Sequence, residues 1–254
     1  MVQSQKHHRS STQLAHYHSE PQGIVTTGTQ GRVPRHLAII PDGNRRWARR
    51  HEAPSEEALS RGTENFNAVA GWCSEIGIEV LSLWLSSPDN VTKREADAVT
   101  RALHHTGEAV QRLTTSRKYR LHPIGNLDLL PAAFAALLHT AEQETAAVTG
   151  MTVNLAAAYN GVDDLLSAAH AAFRADASAP LTPARIDTFL STRGQPPVDL
   201  VIRTSGEERL SGFMPWQTAH SELYFTHTLR PDFDRDDLHN ALASYRRRDR
   251  RHGA

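Results

Sequence analysis

Short apolar runs alternate with longer amphipathic stretches along most of the chain. "LAII", beginning at Leu37, is bounded by Pro41 and Gly43, and a brief unbroken apolar run between turn residues marks a strand buried on both faces of a parallel sheet. The same form returns in "GIEVLSLWLSS" (Gly77 to Ser87), "YRLHPIGN" (Tyr119 to Asn126), "MTVNLAAAY" (Met151 to Tyr159) and "VDLVIRTSG" (Val198 to Gly206). Helical patterns fill the intervals, over Ser55 to Ile76, Lys93 to Arg117, Pro131 to Val148 and Asp163 to Arg174. Strands alternating with helices predict βα units, hence an α/β fold: a single domain with a mainly parallel central sheet flanked by helices. In such sheets ligands bind outside the carboxyl ends of the strands. "PDGN", "SSPDN" and "RTSGEER" all fall there.

Before this pattern, Met1 to about Arg35 is rich in Ser, Thr, Gln and His and has no period. It lacks the apolar surface to offset the entropy of ordering, so residues 1–35 are expected to form a disordered tail and 36–254 the folded domain. His7, His8, His16 and His18 in that tail are expected to be solvated and not to ligate a metal. Charge narrows the partners: 28 basic residues balance 28 acidic ones, so the whole-protein field is weak and no nucleic-acid binding is expected. The arginine-rich "RRRDRR" near the C-terminus reads as a solvated or dimer-facing helix end. A single cysteine, Cys73, excludes a disulfide framework and fits a reducing cytoplasm. No apolar run approaches the roughly 18 residues of a membrane span and no signal-peptide core is visible, so a cytoplasmic chain is expected. There is no P-loop or dinucleotide fingerprint.

The stretch "HLAIIPDGNRRWARR" joins an acid, a turn and many cations at a strand end. Gly43 permits a tight turn and Asn44 is placed to cap a helix over "NRRWARR". Helix-start amides with Arg45, Arg46, Arg49 and Arg50 suit an anion such as a phosphate. Asp42 makes sense beside them if Mg²⁺ bridges carboxylate and phosphate. The alternative is that Asp42 only caps the helix and the arginines are a solvated face. A second cluster places Arg203 at a strand end, followed by Glu207, Glu208, Arg209 and Ser211, with Glu222 further on in "AHSELYF". Two arginines and a hydroxyl can make a second phosphate clamp, with Glu222 as another metal ligand, or they can be structural salt bridges.

"HLAIIPDGNRRWA" and "DLVIRTSGEERLSGFMPWQTAHSELYFT" resemble the two signatures of the cis-prenyltransferases, the undecaprenyl diphosphate synthase family, and the likeness runs from about His36 to the C-terminus. The resemblance implies a homodimer, a parallel sheet, a hydrophobic tunnel and Mg²⁺-dependent condensation of isoprenoid diphosphates, making 36–254 a catalytic domain. Any membrane contact is expected through the product only. Carried over residue by residue, the resemblance makes Asp42 the residue that engages Mg²⁺ and diphosphate. Gly43, Asn44, Arg45, Arg46 and Trp47 then line the allylic site. Asn90, with Ser87 beside it, is implicated in proton removal. Arg203, Arg209 and Ser211 hold the acceptor diphosphate, and Glu222 assists the metal. Arg251 and Gly253 match the family's tail near the acceptor site.

Departures from the family concentrate in the allylic half. Leu59 stands where a histidine is usual, Ser55 and Lys93 where arginines are, Val91 where a tryptophan is, Val162 where an arginine is, and Ser205 where a glycine is. Arg45, Arg49 and Arg61 are candidates to replace the lost cations. This pattern also resembles the branch that joins two dimethylallyl units into irregular, lavandulyl-type diphosphates. A short-chain or irregular product in specialised metabolism is therefore expected. Regular cis-polyprenyl synthesis, a non-catalytic partner subunit and a terpene cyclase of the same fold are the alternatives. Phe66, Trp72, Leu81 and Trp84 line a tunnel or belong to the core, and the core is expected. His104 and His105 are expected on the surface.

Overall fold

The computed structural model describes residues 33–248. Six strands form one sheet: β1 (His36–Ile40), β2 (Val80–Trp84), β3 (Arg120–Ile124), β4 (Thr152–Ala156), β5 (Leu200–Arg203) and β6 (Glu222–Phe225). Their order is β3-β4-β2-β1-β5-β6, and every neighbouring pair is parallel. β1 pairs with β2 on one side and β5 on the other. The chain leaves β1 in one direction and later returns on its other flank, so the crevice at the carboxyl ends of β1 and β5 is the topological switch point. All six strands point their carboxyl ends to that edge.

The period-2 alternation of β1 explains why all five of its residues are buried. Leu37 and Ile39 face one layer, packed with Phe66, Val69, Leu81, Leu83, Leu113, Leu138 and Leu238. Ala38 and Ile40 face the other, with Tyr159, Val201, Phe213 and Met214. The first layer is built from four helices: α2 (Ser55–Ile76), α4 (Ala96–Ser116), α5 (Ala132–Thr145) and, near the end of the chain, α8 (Arg235–Arg247). α2 ends where its backbone turns left-handed at Gly77, φ 90°, a conformation glycine takes without steric cost. α8 buries Leu238, Ala241, Leu242 and Tyr245 at helical spacing and starts in a capping box between Asp234 and Asp237.

Several expectations need correction. β6 carries no sequence signal because its "ELYF" is only half-buried, as a four-residue edge strand is. The helix expected over Lys93 to Arg117 forms as α4 but starts only at Ala96, and a separate short helix, α3 (Pro88–Thr92), precedes it across Lys93–Glu95. Helix α1 (Asn44–Arg50) forms as expected, but its cap is Gly43 and not Asn44. His105 is not on the surface: its side chain is 12% exposed, and its Nε2 meets Glu56 Oε1 at 2.8 Å, tying α4 to α2. Val33 already packs against the first layer. The tail residues before it, with their four histidines, lie outside the described residues, as do Arg251 and Gly253. No described helix is long and apolar enough to cross a membrane.

One buried polar centre tunes stability. His36 is fully buried, its Nδ1 2.8 Å from the Pro196 carbonyl and its Nε2 2.8 Å from Ser82 Oγ, which also accepts from Asn154. Desolvation pushes its pKa down to about 4 against smaller opposing effects of the Pro196 carbonyl and Asp199. The unfolded chain, with an ordinary histidine pKa near 6.5, therefore binds the extra proton first. Stability is fully present above about pH 6.5 and is lost as pH falls toward 4, by about 3 to 3.5 kcal/mol in all. Urea unfolding between pH 6.5 and 5 should show this slope, and His36→Gln should flatten it. Parallel slopes in both proteins would refute the assignment.

Candidate active site

The carboxyl ends of β1 and β5 bring Asp42 and Arg203 together. The backbone of Asp42 is clamped twice by Thr204, whose Oγ1 accepts from Asp42 N at 2.7 Å and donates to Asp42 O at 2.6 Å. Its carboxylate Oδ2 accepts from Arg203 Nη2 at 3.1 Å and lies 3.5 Å from Arg46 Nη2. The carboxylate stays 38% exposed while the Arg203 side chain is 5% exposed, so the acid faces the crevice over a buried cation. Gly43 follows with φ 119°, and a Cβ there would come within 2.9 Å of Leu229. The turn that opens α1 therefore requires glycine.

Arg203 is the hub of the β5 side. Nη1 donates to the Arg209 carbonyl and, at 2.7 Å, to Ser211 Oγ. Its Nε is buried without a partner among the described residues, an orphan donor of the kind an anion satisfies. Arg209 itself turns outward, paired with Glu207. Glu207 also lies 3.3 Å from Arg46, so one carboxylate draws two of the expected phosphate-binding cations together. Arg46 is further gripped by Ser205, donating to its carbonyl at 2.7 Å and its Oγ at 2.6 Å. Ser205 does this with φ 83°, in the left-handed region. Such a serine carries strain on the order of 1–2 kcal/mol. The Ser205 hydroxyl and carbonyl thus orient Arg46.

Ser87 and Asn90 arrive together on the β2 side. They form a capping box at the start of α3: Ser87 Oγ accepts from Asn90 N at 3.2 Å, and Asn90 Oδ1 accepts from Ser87 N at 3.3 Å. Lys93 does not join them. Its side chain is 72% exposed and pairs with Asp89 at 2.9 Å. Its neighbour Arg94, itself exposed, lies close enough to Arg45 and Asp42 for their charges to act on it. Desolvation and repulsion from Arg45 lower its pKa, and the charge of Asp42 opposes them. Nothing in "TKRE" tells which of two adjacent cations at a helix break comes within reach of the Asp42 charge.

Two further assignments change. Trp47 does not line an open site: it is buried with Ala48, Ala58 and Leu229, its Nε1 donating to Asp232 at 2.6 Å and its ring stacked on His51. It braces α1 from behind. Glu222 stands at the first position of β6, paired in register with Leu200, and its carboxylate holds Arg248 at 2.6 Å. Asp42 lies beyond Ile40, whose register partner is Arg203 at the far end of β5. A parallel strand therefore sets Glu222 at the opposite edge of the sheet, and within this chain it does not meet Asp42. Among the described residues no cluster of three His, Cys, Asp or Glu can hold a metal. Asp42 alone, half-open beside arginines, fits a divalent ion shared with substrate phosphates.

Beside Pro41 and Thr204 lies a cavity of about 10 Å³, also lined by Ile39, Asn65, Phe66, Val69, Leu83, Arg230 and Phe233. That is about the room one water needs. Of the four large apolar residues weighed for a tunnel, Phe66 alone borders it. Cys73, deeper in α2, is fully buried with its thiol pushed up to about 12, so it is inert.

The family model described as "Putative undecaprenyl diphosphate synthase" matches residues 40–253. The chain belongs to that family. It is 39% identical over 230 residues to Isoprenyl transferase 1 of Streptomyces avermitilis, covering 87% of this chain and 89% of the relative. It is 40% identical over 232 residues to (2Z,6E)-farnesyl diphosphate synthase of Thermobifida fusca, covering 87% and 90%. The crystal structure of lavandulyl diphosphate synthase from Lavandula x intermedia with dimethylallyl diphosphate superposes with a TM-score of 0.80 at 34% identity, covering 85% of this chain and 97% of that one. This chain is thus a prenyl diphosphate synthase, a prenyltransferase acting on isoprenoid diphosphates, and its family generally uses a divalent metal.

Proposed function

We propose that this prenyltransferase couples a short allylic diphosphate, dimethylallyl or geranyl, to an isoprenoid diphosphate acceptor and makes a short-chain or irregular product in specialised metabolism. The observation that carries the diphosphate chemistry is the convergence of Asp42, Arg46 and Arg203 at the carboxyl ends of β1 and β5, and the loss of cations and an aromatic at Ser55, Leu59 and Val91 favours a short donor. The similarity to a short-chain synthase and to a lavandulyl diphosphate synthase supports the same reading.

Ionisation of the donor breaks its allylic C–O bond, and the electron pair leaves on pyrophosphate. Arg45, Arg46 and Arg94, with the α1 amides after Gly43, neutralise that anion in a partly desolvated crevice, where such charges act most strongly. Mg²⁺, held by Asp42 and diphosphate oxygens, would add Lewis-acid charge neutralisation. Arg203 and Ser211 hold the acceptor's diphosphate, with Arg209 released from Glu207, and so fix the double bond near the cation. Asn90 is an amide and no base. Its Oδ1 is held by Ser87, so its NH₂ positions a diphosphate, and the proton lost after coupling goes to pyrophosphate. A homodimer fits the exposed face of α6 (Gly161–Ala175), where Val162, Leu166 and Phe173 stand in one line.

The test is incubation of the purified protein with Mg²⁺ and dimethylallyl, geranyl, farnesyl and isopentenyl diphosphates, alone and paired, with products identified by mass and NMR. Short products are expected. Extension of farnesyl diphosphate into long polyprenyl chains faster than any short-donor reaction would overturn the reading.

A further inference from the structure

Arg230 is a cation beside the crevice that forms no ion pair among the described residues. It opens the 3₁₀ turn Arg230–Asp232 after β6, and its amide donates to the Asp42 carbonyl at 3.0 Å, which anchors its backbone beside the central acid. The side chain runs to α2, where Nη2 donates to the Gly62 carbonyl at 3.2 Å. A Cβ on Gly62 would lie 3.2 Å from Arg230 Nε and 3.3 Å from both Arg230 Cζ and Asn44 Oδ1. The guanidinium and the Asn44 carboxamide therefore converge on one point of α2, a single turn beyond Leu59.

No described carboxylate forms an ion pair with Arg230, and Asn44 Oδ1 is buried without a partner. Loss of solvent pushes the Arg230 pKa down to about 10, so the group stays charged at neutral pH. A cation partly withdrawn from water with no counter-charge beside it is stabilised by an arriving anion. Arg230 is part-exposed and stands with Pro41 and Thr204, the neighbours of Asp42, around the water-sized cavity, which leaves its outer face to an anion in the crevice.

We propose that Arg230 binds the diphosphate of the allylic donor, supplying from the chain after β6 the positive charge that Ser55 and Leu59 do not supply from α2. This rests on the prenyltransferase reading. As the allylic C–O bond breaks and its electron pair moves onto the departing pyrophosphate, Arg230 holds the growing negative charge from the α2 side. Arg46 holds it from the β5 side. The fork of the guanidinium, already fixed at one tine by Gly62, presents its remaining donors without further ordering.

The test compares wild type with Arg230→Met and Arg230→Lys. It uses initial rates with each substrate varied in turn, and calorimetric binding of dimethylallyl thiolodiphosphate, whose C–S bond resists ionisation. Arg230→Met should weaken analogue binding and raise the donor KM by about tenfold or more, with the acceptor KM within about twofold. Adding Leu59→His to Arg230→Met should restore part of the donor affinity. Arg230→Lys, which keeps charge and folding but loses the fork, should raise the donor KM by several fold at unchanged Tm, and it decides the matter if the methionine variant does not fold. Unchanged analogue affinity, an equal rise in both KM values, or a lower Tm with both KM values intact would make Arg230 a structural strut and overturn the proposal. Wild-type inactivity with every isoprenoid diphosphate would instead overturn the prenyltransferase reading, while analogue binding would still decide the role of Arg230.

Discussion

Asp42→Ala should lower kcat by about 10²- to 10³-fold, the scale of losing one group that acts chiefly in the transition state. The fold should survive. The backbone bonds from Asp42 to Thr204 and Arg230 do not involve its side chain, and the carboxylate is 38% exposed, so loss of its pairs costs only about 1 kcal/mol. Arg203 beneath it does lose a neutralising neighbour. Asp42→Asn, which keeps the shape and the Arg203 hydrogen bond, controls for that. Both variants should unfold near the wild-type temperature and bind metal with diphosphate more weakly. Near-normal turnover in the alanine variant would remove Asp42 from the chemistry.

Arg203→Ala should have the second-largest effect and the more mixed one. The side chain is 5% exposed and joins Asp42, the Arg209 carbonyl and Ser211 Oγ. Its removal strands acceptors and leaves a void, costing about 2 to 4 kcal/mol of stability. Acceptor KM should rise by at least about tenfold, beyond any rise for the donor, because a charge-assisted contact to one diphosphate is lost. Arg203→Lys keeps the charge and should recover stability better than acceptor affinity, since an ammonium cannot reach Asp42 and Ser211 at once. Rates with each substrate varied, alongside thermal unfolding, separate the two effects. Equal damage to both substrates would mean that the two diphosphates do not occupy separate pockets.

The same pair shows why the central site was legible and its periphery was not. Asp42 and Arg203 each follow an apolar run directly, and a buried parallel strand delivers its next residues to the carboxyl edge whatever the helices do. Ser211 and Arg46 lie within a few residues of those strand ends and came with them. Glu222 lies in an equally familiar signature, but "ELYF" is itself a strand, and its direction carries the glutamate to the far edge. Lys93 and Arg94 differ by one position at a helix break, which is enough to pair one with Asp89 and to leave the other within reach of the charges of Arg45 and Asp42.

The sequence by itself determined the βα alternation, the strands β1 to β5, the span of α2 between Pro54 and Gly77, and the meeting of an acid with arginines at one sheet edge. These follow from local rules: burial period, turn residues and the single direction of parallel strands. Only the tertiary structure decided that Trp47 braces and does not line, that Phe66 borders the small cavity beside Thr204, and that Arg230 comes to stand beside α2 near Leu59. Each of these depends on which side chain, among residues distant in sequence, wins a shared volume. Periodicity is blind to that choice, because it records which face of an element is buried and not what is buried against it.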